Sequence, residues 1–247
     1  MPKKIAALAL LSVLALASCS AAGDSGQMPQ DSTHQKAASA SPSAQETDPA
    51  DMSPAEVAAT AGAVMAAKLG FPNSARITGQ DLKDLAKKPD ALKDIVVLPG
   101  ACQGPIDDLN WSPVQLGTQA ARTDFTNEAQ NITGSIEVAK LDSDADRGAV
   151  AAHNKNVAKI LSDCSGVKIN GLDYSEDLKF SDPAVEKADS ALYYTRNGQY
   201  PQDSLVLISS TKDYAAMVSF VSAAPINDAK FNQVATSILD AALTQVK

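Results

Sequence analysis

The chain has 247 residues, a net charge of −8, two histidines, three cysteines and 4% aromatic residues. An acidic chain with scattered lysines has no surface that would neutralise phosphate, which argues against nucleic acid as a partner, and no basic run to grip anionic lipid head groups. Two histidines and three cysteines are also too few and too far apart for a zinc centre, so no metal or cofactor is expected.

Lys3 and Lys4 precede a run of apolar and small residues from Ile5 to Ala17, and Leu16-Ala17-Ser18-Cys19 closes it. Two cations, a short apolar stretch and small residues before a cut make a secretory signal. The run is too short for the helix of about 20 residues that crosses a bilayer, so an uncleaved anchor is disfavoured. The cysteine placed there resembles the lipobox of bacterial lipoproteins. That resemblance implies a signal peptide over residues 1–18, cleavage between Ser18 and Cys19, and diacylglycerol on the Cys19 thiol, often with a further acyl chain such as palmitate on the new amino group. Loss of Lys3 and Lys4 with the leader takes the net charge from −8 to −10. Two acyl chains, at about 0.8 kcal/mol per buried methylene, hold a protein stably where one does not. The expected place is the cell membrane, on its extracytoplasmic face, with the lipid on Cys19 as the membrane contact.

Residues 19–52 are rich in Ser, Ala, Gln, Pro and acids, with Met28 and Met52 as the large apolar side chains. Such a segment cannot bury enough surface to offset its ordering entropy, and as a flexible coil it spans roughly 30 Å on average. It is read as a tether. Gly23-Asp24-Ser25-Gly26 copies the nucleophile motif of trypsin-like proteases, but in a tether it is a coincidence.

A single globular domain is expected from residue 53 to residue 247. Ser53-Pro54-Ala55-Glu56 reads as a capping box with proline at the first helical position, and Val57, Ala61, Val64, Met65 and Leu69 give that helix its apolar stripe, ended by Gly70. Gln80 to Lys88 reads as a short polar helix. Ile95 to Leu98 is a brief apolar run, Pro105 to Pro113 a loop carrying Trp111, and Gln115 to Gln130 an extended stretch. Asn131 to Leu141 alternates as a strand with one buried face. The stripe Val150, His153, Val157, Ile160, Leu161, Cys164 predicts a helix from about Ala145 to Cys164. Strands follow at Ser190–Thr195 and Ser204–Ser209, joined through Asn197-Gly198, and at Tyr214–Ser222. Asp228 to Val246 is the clearest amphipathic helix, with Phe231, Val234, Ala235, Ile238, Leu239, Ala242, Leu243 and Val246 on its stripe. Helices bracketing consecutive antiparallel strands give an α+β fold, an antiparallel sheet with helices packed on one face.

Catalytic patterns are weak. Asp142, Asp144 and Asp146 copy the opening of a calcium loop, but Arg147 stands where glycine is needed and His153 where a bidentate glutamate belongs. An acid-rich helix start explains them better. His153 is the one histidine outside the tether, and its place on a helix stripe makes it a border residue rather than a base. There is no Gly-x-Ser-x-Gly elbow and no phosphate-cradling glycine loop. Asp107 and Asp108 are adjacent and would point apart in an extended stretch. Tyr193, Tyr194, Tyr200 and Tyr214, with Trp111 near them, could line a ligand surface, though sheet and core packing accounts for them as well. Asn131-Ile132-Thr133 is a formal glycosylation triplet, of little weight in a bacterial lipoprotein. No catalytic residue is assigned.

With Cys19 taken by lipid, Cys102 and Cys164 are left to form one disulfide in an oxidising compartment. The layout then resembles the PknH-like extracytoplasmic sensor domain of a mycobacterial kinase and of actinobacterial lipoproteins: a leading helix, a cysteine before an alternating stretch, a helix ending in Leu161-Ser162-Asp163-Cys164, strands, and a closing amphipathic helix. Two departures stand out. Leu161 occupies the position where that family carries tryptophan, and the family's second disulfide has no cysteines to form it here. The resemblance implies an α+β fold with a central cleft for an unidentified ligand. The functional expectation is a non-catalytic binding or sensor domain for a small or envelope-derived ligand. A scaffolding lipoprotein that helps assemble another envelope protein is the alternative, expected to show a contiguous exposed apolar patch. A hydrolase is the weakest reading, requiring an acid and a nucleophile within hydrogen-bond reach of His153.

Overall fold

The computed structural model describes residues 51–88, 94–117, 119–199 and 201–247. The leader, Cys19, almost all of the tether, and Tyr200 lie outside them. No helix among the described residues is long and apolar enough to cross a membrane.

The first helix, α1, runs over Pro54–Lys68 and starts as its sequence dictates: Ser53 Oγ accepts from the Glu56 N–H, and the Glu56 carboxylate accepts from the Ser53 N–H. Strand β1 (Asn73–Ile77), a short helix α2 (Gly79–Leu85), strand β2 (Val96–Leu98) and another short helix α3 (Gln103–Asp107) follow, then a 3₁₀ turn at Pro113–Leu116. Next come β3 (Ala120–Thr126), β4 (Ile132–Lys140), the long helix α4 (Asp144–Asp163), β5 (Gly166–Asn170), β6 (Ser175–Ser181), β7 (Ser190–Asn197), β8 (Gln202–Ser210), β9 (Tyr214–Ser222) and α5 (Ala229–Thr244). The region expected to be a plain loop around Trp111 therefore carries both a helical turn and a 3₁₀ turn.

All nine strands join one antiparallel sheet in the order β1-β3-β4-β9-β8-β7-β6-β5-β2. Its register fixes two faces, because alternate residues point to opposite sides. One face carries the aligned set Ile136, Val218 and Leu207, and the opposite face carries Glu137, Met217 and Ile208. The α+β class, the antiparallel sheet and the single disulfide agree with the sequence reading. The helices, however, are divided between the faces. α1 and α5 cover the first face over β3, β4, β8 and β9, whereas α4 lies on the second face against β6 and β7. The expectation of helices on one face holds for α1 and α5 alone. The physical reason is the length of the sheet: nine strands are too wide for one pair of helices, so each end is covered separately.

The first core packs Phe71, Phe125, Phe220 and Phe231 edge to face beneath α1 and α5. Here the stripe predicted for α1 is overturned. Its buried residues are Ala55, Ala58, Ala59, Gly62, Ala63 and Ala66, while Val57 and Val64 are 37% and 51% exposed. Proximity is the cause: a Cβ on Gly62 would stand 2.9 Å from Ile136 Cγ1 and 3.4 Å from Ala242 Cβ. Only small side chains fit so close a contact, and the bulkier ones are turned outward.

The second core lies under α4 and holds Val97, Val167, Ile169, Leu178, Phe180, Val157 and Ile160. The stripe predicted for α4 is the one observed, with Val150, His153, Val157 and Ile160 buried. Ser143 and Asp146 form a capping box at its start, so the acidic run serves as a helix cap. Cys164 at its end bonds to Cys102, with Cα atoms 5.8 Å apart across a sequence separation of 62. At the sheet's outer margin, the Val97 N–H of β2 donates to Gln103 Oε1 at 2.9 Å. Strand β4 departs from expectation in being buried on both faces, since it sits inside the sheet and is covered from both sides.

Candidate functional site

Glu137 sits in the middle of β4 with no exposure at all, between Ile136 and Val138 on the other face. A carboxylate removed from water so completely needs partners. Its neighbour across the strand pair is Arg122 on β3, whose guanidinium reaches Glu137 Oε1 at 2.7 Å and Asp124 Oδ1 at 2.6 Å. The Val114 N–H of the 3₁₀ turn lies 3.5 Å from Glu137 Oε2, closing the cluster from above. Burial works against the charge on Arg122, but Glu137 and Asp124 outweigh it and hold the guanidinium pKa above its usual value. Burial also pushes Asp124 up, more than Arg122 pulls it down.

A second buried pair stands on the same face at the other side of the sheet. Arg196 on β7 grips Glu176 on β6 through two hydrogen bonds, at 2.6 and 2.8 Å. Tyr174 lies beside it, and its hydroxyl is buried without a hydrogen-bond partner. Burial, then the Glu176 charge, raise the pKa of that phenol.

Between Glu137 on β4 and Arg196 on β7 lie β9 and β8, so roughly 14 Å of sheet separates the two clusters at about 4.8 Å per strand. The intervening surface is unusually polar for a covered sheet. Ser135 and Ser219 hydrogen-bond to each other at 2.9 Å, and Gln202 donates to Ser204 Oγ at 2.8 Å. The turn at Pro113–Leu116 packs on β3, β4 and β9, and α4 packs on β6 and β7. β8 runs between these two covers, and its Val206 on this face is half-buried, as are Val221 and Thr133 nearby. Among the described residues every buried Arg or Glu side chain belongs to this face; the first face buries none.

The candidates singled out in sequence fare differently. Cys102 and Cys164 are joined, as expected. His153 lies at the rim of this face, its ring stacked on Trp111 at 4.7 Å. Its Nδ1 is buried without a partner and burial drives its pKa down to about 4. The acid and nucleophile required by the hydrolase reading are therefore not assembled on Nδ1. The tyrosines fall on both faces: Tyr193 and Tyr214 pack with the first core, Tyr194 lies on the second face 5.8 Å from Phe180, and Tyr200 lies outside the described residues. Asp107 accepts from Gln103 at the end of α3. No cluster of three or more metal-binding side chains occurs among the described residues. Sequence reading missed Arg122, Asp124, Glu137, Glu176 and Arg196. Their signal was a lone charge inside an alternating apolar run, clearest at Glu137.

No protein-family model matches the chain, and no curated protein matches it. Among solved structures it is similar to the extracellular domain of PknH from Mycobacterium tuberculosis, with 13% identity and a TM-score of 0.46 over 77% of this chain and 97% of that one. It is similar also to an uncharacterized protein of Mycobacterium smegmatis, the Rv0999 ortholog, with 15% identity and a TM-score of 0.46 over 78% of this chain and 98% of that one. The first is the domain that the sequence layout resembles. At these identities the likeness is one of layout, and no residue role is carried across it.

Proposed function

We propose that this chain is a lipid-anchored extracytoplasmic lipoprotein whose folded part is a non-catalytic binding or sensor domain, with its ligand on the polar strip of the second face. The collection of the buried charge on one face carries the reading. Burying an ion pair rarely stabilises a fold better than apolar side chains of the same size would. Two such clusters flanking a half-open strand are therefore better explained by recognition than by packing. Both arginines are already engaged by carboxylates, so the strip has little attraction for an anion. The half-buried amide of Gln202, with Val206, Val221 and Thr133 on the same face, suits a neutral, hydrogen-bonding ligand of the envelope. The lipobox at Cys19 and the tether supply the location. Cys19→Ala is expected to release the protein from membranes or leave an uncleaved precursor.

The test is native mass spectrometry of the protein extracted from membranes, with thermal-shift measurements against envelope lipids and glycans. A retained or stabilising species is expected, and it should be lost in Val206→Trp, which fills the strip between the covers without touching either charge cluster. No bound species and no stabilisation, or equal retention by Val206→Trp, would overturn the reading.

A further inference from the structure

A hollow lies on the first face, away from the polar strip, and what it binds is independent of any ligand on that strip. It has a volume of about 130 Å³ and sits where the start of α1 crosses β1 and β3, bordered by the turn into α2. Small side chains leave the space: Ala59 of α1 and Ala121 of β3 line it, at 1% and 5% exposure. It holds both signs of charge, because Arg76 on β1 and Glu56 on α1 line it as an ion pair at 2.5 Å, each 30% exposed. Neither ion is used up. A guanidinium has five N–H donors, and the one hydrogen bond of Arg76 among the described residues runs from Nη2 to Glu56 Oε1. Glu56 Oε2 accepts from the Ser53 N–H, which leaves lone pairs on both oxygens. Two hydroxyls on the lining are also unspent. The Thr78 side chain does not cap α2, and Thr123, only 3% exposed, makes no side-chain hydrogen bond among the described residues. Thr123 is the cross-strand neighbour of Arg76, so its hydroxyl and the guanidinium share one face of the sheet. Arg122 borders the hollow too, but its guanidinium is held by Glu137 and Asp124 on the opposite face.

We propose that this hollow binds a small zwitterion, an α-amino acid of the size of alanine, with its carboxylate on Arg76 and its ammonium on Glu56. Size and charge set that choice. An apolar cavity of about 150 Å³ holds benzene, so this hollow takes about six non-hydrogen atoms, fewer than a sugar ring or an acyl chain needs. An anion alone would meet the Glu56 carboxylate beside the guanidinium, and a cation alone would meet Arg76. A molecule carrying both charges on neighbouring atoms satisfies the pair without displacing either member. Thr78 and Thr123 supply hydroxyls for the second carboxylate oxygen, and the alanine-lined wall leaves room for a methyl group but not for a long side chain.

The test is isothermal titration calorimetry of the full chain with L-alanine, and with propionate and ethylamine, which each carry one of its two charges. Saturable alanine binding in the micromolar to millimolar range is expected, with propionate and ethylamine each at least about tenfold weaker. Arg76→Gln and Glu56→Gln should each weaken alanine binding at least about tenfold. Glutamine still accepts from the Ser53 N–H, so Glu56→Gln should melt near the parent temperature, which separates lost binding from lost folding. Val206→Trp, which fills the polar strip, should leave alanine binding unchanged. Absence of saturable alanine binding, propionate bound as tightly as alanine, binding unchanged in both charge variants, or binding lost in Val206→Trp would overturn the inference; the last outcome would move the ligand to the strip.

Discussion

The two covers of the sheet solve the same problem with opposite materials. Under α1 and α5 the chain relies on proximity: alanines and one glycine let helix and strand approach until phenylalanines interlock, and no charge is enclosed. Under α4 and the Trp111 segment it encloses arginine, glutamate and an unsatisfied imidazole, and ties the layer with a disulfide. An enclosed ion pair rarely stabilises a fold better than apolar side chains of equal size would, so the two covers rest on different physics. Each half should then fail in its own way when altered.

The largest effect is expected from Glu137→Leu, which leaves Arg122 buried with only Asp124 beside it. Loss of one partner from a buried pair costs about 3–5 kcal/mol, measurable by urea unfolding. A double change of Arg122 and Glu137 to apolar residues should recover much of that loss. Were the single change harmless, the cluster would not be the closed network described. Cys102→Ser with Cys164→Ser is expected to lower stability by about 2–5 kcal/mol. Hydrogen exchange should then show faster opening of α4 than of α5; equal loosening of both halves would erase the distinction between them.

Acid should act on the second half as well. His153 has a pKa of about 4 when folded against an ordinary 6.5, so the unfolded chain takes up its proton first as pH falls. The stability it supports is fully present above pH 6.5 and declines between 6.5 and 4, by about 3 kcal/mol in total. His153→Phe, which keeps the stack on Trp111 and removes the unpartnered nitrogen, should flatten that part of the profile. An unchanged slope would place the acid sensitivity elsewhere. On the first half, Gly62→Val should cost about 1–3 kcal/mol through overpacking against Ile136, without altering the pH profile. Smallest of all, Val64→Ser on the outer side of α1 should move stability by no more than about 0.5 kcal/mol; a larger loss would mean that this side is already covered within the fold.

What could be read from sequence followed from how far each signal stays local. The capping box at Ser53, the stripes of α4 and α5 and the Asn197-Gly198 hairpin depend on neighbours within a turn or two, and each appears where expected. Strands β1, β5 and β6 carry too weak a local signal to be legible in the sequence. In β6 the buried positions are Glu176, Leu178 and Phe180, and a buried acid broke the apolar alternation that would have revealed the strand. Strand β5 alternates correctly through Val167 and Ile169, but over too few residues to stand out. The buried face of α1 is not legible from hydrophobicity, which ranks valine above alanine, whereas the contact with Ile136 selects for size. The candidate site was the least legible part, because Arg122, Glu137, Glu176 and Arg196 meet only once strands far apart in the chain are set side by side. The expected lipidation of Cys19 is the reverse case: its signal is written wholly in the leader, and Cys19 lies outside the described residues.

The amide of Val97 on the outermost strand is already taken by the side chain of Gln103. Open margins of sheets are where separate molecules zip together into fibres. One glutamine, reaching back six residues, thus leaves an incoming strand no donor at that position of β2.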